Sequence, residues 1–168
     1  MNKADRATAI HEAGHAVISV CFTRRFEYVD VFSRDAANTP IGPLNACGAV
    51  VSPTVYQPHS KLDQELMEDS VVIALSGPIA ESIYAKKSRA AVYICGGAND
   101  CEYVMQALSD FGLQIWFSKF EQRARMFVRQ YWPAIETVAN ELVLRGRLSF
   151  AEVVSLTVPE RHRREAAA

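Results

Sequence analysis

Apolar residues recur three and four positions apart along most of this chain, which is the spacing of helices with a buried face. The first such segment carries small and apolar side chains from Ala4 to Cys21. Three longer segments follow, over about 61–84, 100–117 and 121–144. Because proline cannot continue a helix interior, Pro133 is expected to break or kink the last of these. The pattern therefore predicts a mainly α fold.

Short segments between these helices have the pattern of strands. Residues 27–32 are rich in aromatic and β-branched side chains, and Ala49-Val50-Val51 forms a second apolar run. Residues 33–45 carry Asp, Asn, Pro and Gly, which favour a loop. We expect a small two- or three-stranded sheet beside the first helix.

Helix ends are marked by capping residues. Ser60 and Asn99 are predicted N-caps, Gly146 is a predicted helix end, and Ser149-Phe150-Ala151-Glu152 is predicted to be a capping box that opens a short final helix. We predict one domain over residues 1–158 and a basic, disordered tail over 159–168.

Composition excludes several classes of function for the 168 residues. A formal net charge of −1 gives no electrostatic case for binding nucleic acid or an anionic membrane surface. No run of 18 apolar residues occurs and the amino terminus is charged, so neither membrane insertion nor a signal peptide is expected. The four cysteines are widely spaced without a CxxC pair, which favours buried or free thiols in a reducing cytoplasm.

The candidate chemistry lies in the first helix, at His11-Glu12-Ala13-Gly14-His15. Histidines at i and i+4 share one helix face, so both imidazoles can reach one metal ion. Glu12 would then act as the general base that deprotonates a metal-bound water, as in zinc hydrolases. The alternative is a pair of buried, hydrogen-bonded core histidines. Gly14, costly inside a helix, suggests that another backbone or a substrate approaches closely.

A catalytic zinc ion usually takes three protein ligands and one water, so a third ligand must come from elsewhere in the chain. Asp100 follows the small residues Gly96-Gly97-Ala98-Asn99, which would let this segment pack closely against another helix. Glu81 is the rival, because an acid among apolar neighbours needs a partner, which could be the second ring nitrogen of a ligand histidine. A Cys95 or Cys101 ligand is a further alternative, and spacing alone leaves the choice open.

Several segments, in order, resemble the peptidase domain of FtsH, the ATP-dependent AAA zinc metalloproteases. The resemblance covers most of the chain and rests on five segments: residues 8–17 around the HExxH motif, Asn45–Pro53, Leu75–Glu81, Gly96–Asp100 and Leu148–Val153. It implies that Asp100 is the third zinc ligand and that Glu81, with Asn99, supports the ligands from behind. It also implies that a strand formed by Gly48, Ala49, Val50, Val51 and Ser52 receives the substrate peptide by main-chain pairing.

The chain also departs from the FtsH pattern. It carries no Walker-type nucleotide motif, the segment between Asp100 and Pro133 is shorter, and Pro78 stands where the family usually has an arginine. We therefore expect a zinc metallopeptidase that hydrolyses unfolded or small polypeptides, with a separate ATPase or adaptor supplying any unfolding. The alternative is a non-catalytic, zinc-bound module that binds peptides or regulates a partner.

The oligomeric state is open, with a ring or a dimer as the alternatives. Aromatic side chains after residue 115 are expected to pack into the core more than to form an interface: Trp116, Phe117, Phe120, Phe127, Tyr131 and Trp132.

Overall fold

The computed structural model describes residues 3–31, 49–51, 61–88, 90, 91, 93 and 97–157. Its elements in chain order are α1 (Lys3–Cys21), β1 (Tyr28–Asp30), β2 (Ala49–Val51), α2 (Lys61–Ala85), α3 (Ala98–Asp110), a 3₁₀ turn (Gln114–Trp116), α4 (Phe117–Gln130), α5 (Trp132–Arg145), β3 (Arg147–Ser149) and α6 (Phe150–Thr157). The fold is mainly α, as predicted. The basic tail after Thr157 lies outside the described residues.

A three-stranded antiparallel sheet has the order β2-β1-β3. Val29 in the middle strand lies opposite Val50 on one side and Leu148 on the other. The two predicted strands are confirmed. The sequence did not locate the third strand, because its three residues directly follow Gly146 and end at Ser149, the first residue of the capping box, and so carry too little pattern to predict a strand.

Helix α1 lies at the centre of the described structure, where it contacts α2, α5, α6 and two strands of the sheet. Every residue from Ala9 to Ser19 is buried. A helix surrounded in this way buries polar side chains along with apolar ones, and those polar groups need partners. The metal motif lies in this buried stretch.

The predicted helix over 100–117 is wrong at both ends. Helix α3 begins at Ala98, with Gly97 rather than Asn99 at the N-cap position and no side-chain cap. It ends at Asp110 because Gly112 adopts a φ of +67°, and a 3₁₀ turn follows. Glycine takes this left-handed conformation without the steric cost that other residues meet.

The predicted break at Pro133 is confirmed in position. Helix α4 ends at Gln130, and α5 begins at Trp132 with the proline in its first turn, where its missing N–H costs nothing. Gly146 ends α5 with a φ of +79° and donates its N–H to the Leu142 carbonyl at 2.7 Å. No proline-induced break occurs in α2, which runs through Pro78 as one helix.

The capping box is confirmed at the start of α6. The Ser149 N–H donates to a Glu152 carboxylate oxygen at 2.8 Å, and the Glu152 N–H points back to the Ser149 hydroxyl at 3.4 Å. Most of the late aromatics pack on the core as expected: Phe120 is buried, and Phe117, Phe127, Tyr131 and Trp132 are partly buried against it. Trp116 is exposed and stacks on the Lys119 ammonium at 3.6 Å.

Candidate metal centre

The two motif histidines lie one helical turn apart on α1 and face α2 and the start of α3. Their side chains are buried, with exposed fractions of 6% for His11 and 8% for His15, and their ring centroids are 4.8 Å apart. The i, i+4 spacing in the sequence therefore brings both rings to one side of the helix, as predicted.

Asp100, at the start of α3, meets both imidazoles. One carboxylate oxygen is 3.1 Å from His11 Nε2, and the other is 3.5 Å from His15 Nε2. The three side chains form a group that could hold a metal ion, with ligand atoms all within 4.8 Å of one another. Ligand atoms about 2.1 Å from a tetrahedral ion lie about 3.4 Å apart, so the two measured separations match those of such a site.

The other nitrogen of each ring is held by α2. His11 Nδ1 is 3.1 Å from a Glu81 carboxylate oxygen, and His15 Nδ1 donates to the main-chain carbonyl of Ile73 at 2.8 Å. Such partners fix the ring orientation and keep the proton on Nδ1, so that Nε2 is the nitrogen left to bind a metal. In this arrangement Asp100 faces the Nε2 atoms, whereas Glu81 lies behind His11.

Glycines allow the helices to approach this closely. A Cβ on Gly77 of α2 would lie 2.3 Å from His15 Nε2, so the imidazole occupies the space of the missing side chain. A Cβ on Gly14 would lie 2.8 Å from the Ser76 carbonyl oxygen and 3.1 Å from the Gly77 Cα. The close backbone approach predicted at Gly14 is therefore confirmed, and the approaching backbone belongs to α2.

Glu12 is buried, with 6% of the residue exposed, and lies among charged groups. Burial raises the pKa of its carboxyl group, and the positive charges of His11 and His15 oppose that rise. Asp30, at the end of β1, also acts on Glu12 through its charge; Arg147 of β3 donates to Asp30 from Nη2 at 2.6 Å and Nε at 2.8 Å. Sequence analysis missed this ion pair, because β3 was not predicted.

Without a metal ion, the cluster is held together by its own charges. Burial alone would lower the pKa of His11, but the hydrogen bonds with Asp100 and Glu81 outweigh it and raise the pKa to about 10. Burial likewise opposes the charged form of His15, yet the Asp100 carboxylate raises its pKa. The pKa of Asp100 is lowered: burial would raise it, but the two imidazoles prevail. The metal-free site therefore favours protonated imidazoles on an ionised aspartate.

The remaining predicted residues are placed as follows. Asn99 is exposed in the first turn of α3, and within the described part of the chain its side chain makes no hydrogen bond to the cluster. Ala49, Val50 and Val51 form β2, which pairs with β1 and contacts α1. Cys101 is partly exposed and does not join the metal group. Gly48, Ser52 and Cys95 lie outside the described residues.

Two contacts at the site were not predicted from the sequence. The carbonyl of Ile73 is a main-chain group, so no residue type marks it. The Pro78 ring lies against Gly97, where a Cβ would be 2.6 Å from the proline Cγ. Pro78 stands where the FtsH pattern usually has an arginine, and the fold shows that it touches Gly97.

Comparison with known proteins adds no family assignment. No protein-family model matches the chain, and no curated protein matches it. The resemblance to FtsH peptidase domains therefore stays a prediction based on the motif residues. No helix among the described residues combines the length and apolar character needed to cross a membrane.

Proposed function

We propose that this chain is a zinc-dependent metallopeptidase, with His11, His15 and Asp100 as the metal ligands and Glu12 as the general base. One observation carries the proposal. Both imidazoles have Nδ1 engaged by α2 and direct Nε2 toward a single carboxylate, with a buried glutamate next to the first histidine. Core histidines would also need hydrogen-bond partners, but they would not need both Nε2 atoms to converge on one carboxylate at separations that suit a metal ion.

The donor set suits zinc among common metals. Two imidazole nitrogens and one carboxylate form the usual ligand set of catalytic zinc sites, which keep one position open for water. Zinc, when bound, would lower the pKa of such a water to about 7 and polarise a carbonyl oxygen. A structural zinc site normally closes all four positions with protein ligands, and the described residues supply three.

The residues of the chain would share the work as follows. Glu81 and the Ile73 carbonyl hold the imidazoles in the required tautomer. Glu12 accepts a proton from the attacking water as the new carbon–oxygen bond forms. It then delivers that proton to the amide nitrogen as the carbon–nitrogen bond breaks. The products are a carboxylic acid and an amine, so the atoms of peptide and water balance.

We propose that the substrates are unfolded or small polypeptides. They would pair in extended form with β2, the edge strand on the side of the sheet away from β3. A separate ATPase or adaptor would be needed to unfold stable proteins. We place this activity in the cytoplasm, where free thiols such as Cys21 and Cys101 stay reduced.

The test is casein cleavage by zinc-loaded protein, comparing the parent with Glu12→Gln and with Glu136→Gln as a matched control. Glu136 lies on the exposed face of α5, so its amide variant changes the same group away from the cluster. We expect the parent and Glu136→Gln to cleave casein, and Glu12→Gln to bind zinc fully and lose nearly all turnover. Zinc content is measured on each preparation by elemental analysis.

Two outcomes would contradict the proposal in different ways. Turnover retained in Glu12→Gln would remove Glu12 from the role of general base. Zinc bound at one equivalent with no cleavage by any of the three proteins would favour the alternative, a zinc-bound module that binds peptides without hydrolysing them.

A further inference from the structure

Pro78 lies inside α2 and touches the backbone just before Asp100. A Cβ built on Gly97 would lie 2.6 Å from Pro78 Cγ and 2.9 Å from Pro78 Cβ, far inside contact distance. The same Cβ would be 3.7 Å from an Asp100 carboxylate oxygen. The Gly97 backbone therefore rests directly on the proline ring, next to the carboxylate that meets both histidines.

Gly97 also fixes the first turn of α3. Its carbonyl accepts the Cys101 N–H at 2.9 Å, and Asp100 lies inside the turn that this hydrogen bond closes. A displacement of Gly97 would consequently move the Asp100 carboxylate relative to His11 and His15. The contact with Pro78 is the point at which α2 sets that position.

All three candidate ligands are thus held by three residues of α2 that lie within a stretch of nine, positions 73–81. The Ile73 carbonyl holds His15, the Glu81 carboxylate holds His11, and Pro78 supports the turn that carries Asp100. Proline suits such a support because its ring has almost no conformational freedom to lose on burial. Proline also lacks the N–H that would otherwise donate to the Ala74 carbonyl, so it lowers the stability of the helix. A role in holding Gly97 would compensate for that loss.

We propose that Pro78 is a positioning residue of the metal centre: its ring fixes the Gly97 backbone and thereby the place of the Asp100 carboxylate beside the two imidazoles. This inference rests on the proposed function, because it assumes that the three side chains bind a metal. It concerns the assembly of the site and not the chemistry, so metal binding can test it without any measurement of hydrolysis.

The test is a double-variant cycle read out by zinc affinity, using competition with a chromophoric chelator. Gly97→Ala should weaken zinc binding by about 10- to 100-fold, as loss of a partner that orients a ligand does in other metal sites. Pro78→Gly removes both atoms that the new Cβ would meet. The double variant Pro78→Gly/Gly97→Ala should therefore bind zinc more tightly than Gly97→Ala alone, which is coupling of the kind that neighbouring residues show.

Two further measurements separate positioning from general stability. The Co²⁺-loaded proteins should show a changed visible absorption spectrum in Gly97→Ala and a return toward the parent spectrum in the double variant. Gly112→Ala is the control, because it places a Cβ in open space at a strained φ of +67° and should lower stability without changing zinc affinity. If Gly97→Ala does not fold, Pro78→Ala replaces it. Removal of the ring should weaken zinc binding without lowering the free energy of urea unfolding of the metal-free protein, because alanine restores the helix N–H that proline lacks.

The inference would be overturned if Gly97→Ala bound zinc as tightly as the parent. It would also be overturned if the losses of zinc affinity in Pro78→Gly and Gly97→Ala simply added in the double variant. If Gly97→Ala does not fold, parent-like zinc affinity in Pro78→Ala would overturn it equally. A parent protein that binds no zinc would overturn the proposed function itself, and with it this inference. Weakened binding restored by the second substitution would support the inference and the metal-ligand part of the proposed function.

Discussion

The helices of this protein meet in two different ways. Where α1 faces α2 near the metal group, the contact includes glycine backbone and buried or partly buried polar side chains: Gly14, Gly77, His11, His15 and Glu81. Where α4 packs on α2 and α5 packs on α1, the buried residues are apolar apart from Glu121, and the contacts are mainly between apolar side chains: Phe120, Ala124, Val128, Ile135, Val138, Ala139 and Leu142. The two kinds of contact should respond to substitution differently.

An apolar contact has some freedom to repack, because neighbouring side chains can share a change in volume. The α1–α2 contact has little, since a backbone cannot move away without moving the whole helix. Backbone contact therefore suits a place where polar side chains must stay in one orientation, and it makes that place sensitive to the addition of a single carbon.

The largest effect should follow from removing the Asp100 carboxylate, which joins α3 to the two histidines of α1. Asp100→Ala should lower zinc affinity by more than about 100-fold, because the loss of a ligand exceeds the usual effect of losing an outer partner. Isothermal titration with zinc measures this, with Glu102→Gln, an exposed acid on the same helix, as the control. Unchanged metal binding in Asp100→Ala would transfer the third-ligand role to another acid.

The proton held by His11 in the metal-free protein predicts that zinc affinity changes with pH, by about tenfold per pH unit. With its pKa raised to about 10, His11 holds a proton across the neutral range in the metal-free protein. Zinc must displace that proton, so zinc affinity should rise with pH by about tenfold per unit for each proton released, until pH passes the raised pKa. Titrations in two buffers with different ionisation enthalpies measure the proton count directly.

The same shift makes the metal-free protein sensitive to alkali. The pKa of His11 is higher in the folded protein than in the unfolded chain, so proton binding by His11 stabilises the fold. This stabilisation is fully present below about pH 6.5 and is lost as pH rises toward 10. Urea unfolding at several pH values should show this loss in the metal-free protein. His11→Gln should remove the dependence; an identical pH profile in this variant would mean that other groups cause it.

Gly77→Ala tests the glycine contact itself. The added Cβ would lie 2.3 Å from His15 Nε2, so we expect a loss of about 1–3 kcal/mol in stability together with weaker zinc binding. Gly112→Ala, with open space around its Cβ, should cost about 1 kcal/mol through its backbone conformation and leave zinc binding intact. Equal effects of the two variants on zinc affinity would mean that the glycine at 77 is not required by His15.

The smallest effect is expected far from the metal group, at the start of α6. Ser149→Ala removes the side-chain half of the capping box and should lower stability by about 1 kcal/mol without changing zinc affinity. Its partner Glu152 has its pKa lowered to about 2, first by the Ser149 N–H and then by Arg145. The cap should therefore contribute above about pH 4.5 and be lost as pH falls toward 2, which thermal unfolding at low pH can follow.

Sequence alone predicted the parts of this molecule that depend on local spacing. The helix that carries His11 and His15, the strand pair, the end at Gly146 and the capping box at Ser149 all follow from patterns within a few residues. The close approach at Gly14 was also predictable, because glycine inside a helix is costly and therefore informative.

The rest depended on which distant segments meet. Spacing could not choose between Asp100 and Glu81, because both acids contact the same histidine, one at each ring nitrogen. The start of α3 was misplaced at Asn99 because a good capping residue was present, whereas the contact of Gly97 with Pro78 coincides with the actual helix start. Tertiary contacts decided both points.

The groups that hold the two histidines differ in how sensitive they are to mutation. The Glu81 carboxylate behind His11 can be lost through one codon change, so a saturation library should select strongly for acid at that position. The support of His15 is the carbonyl of Ile73, which every amino acid possesses. Lineages of this protein should therefore vary freely among helix-forming apolar residues at position 73 while the orientation of His15 is passed on unchanged.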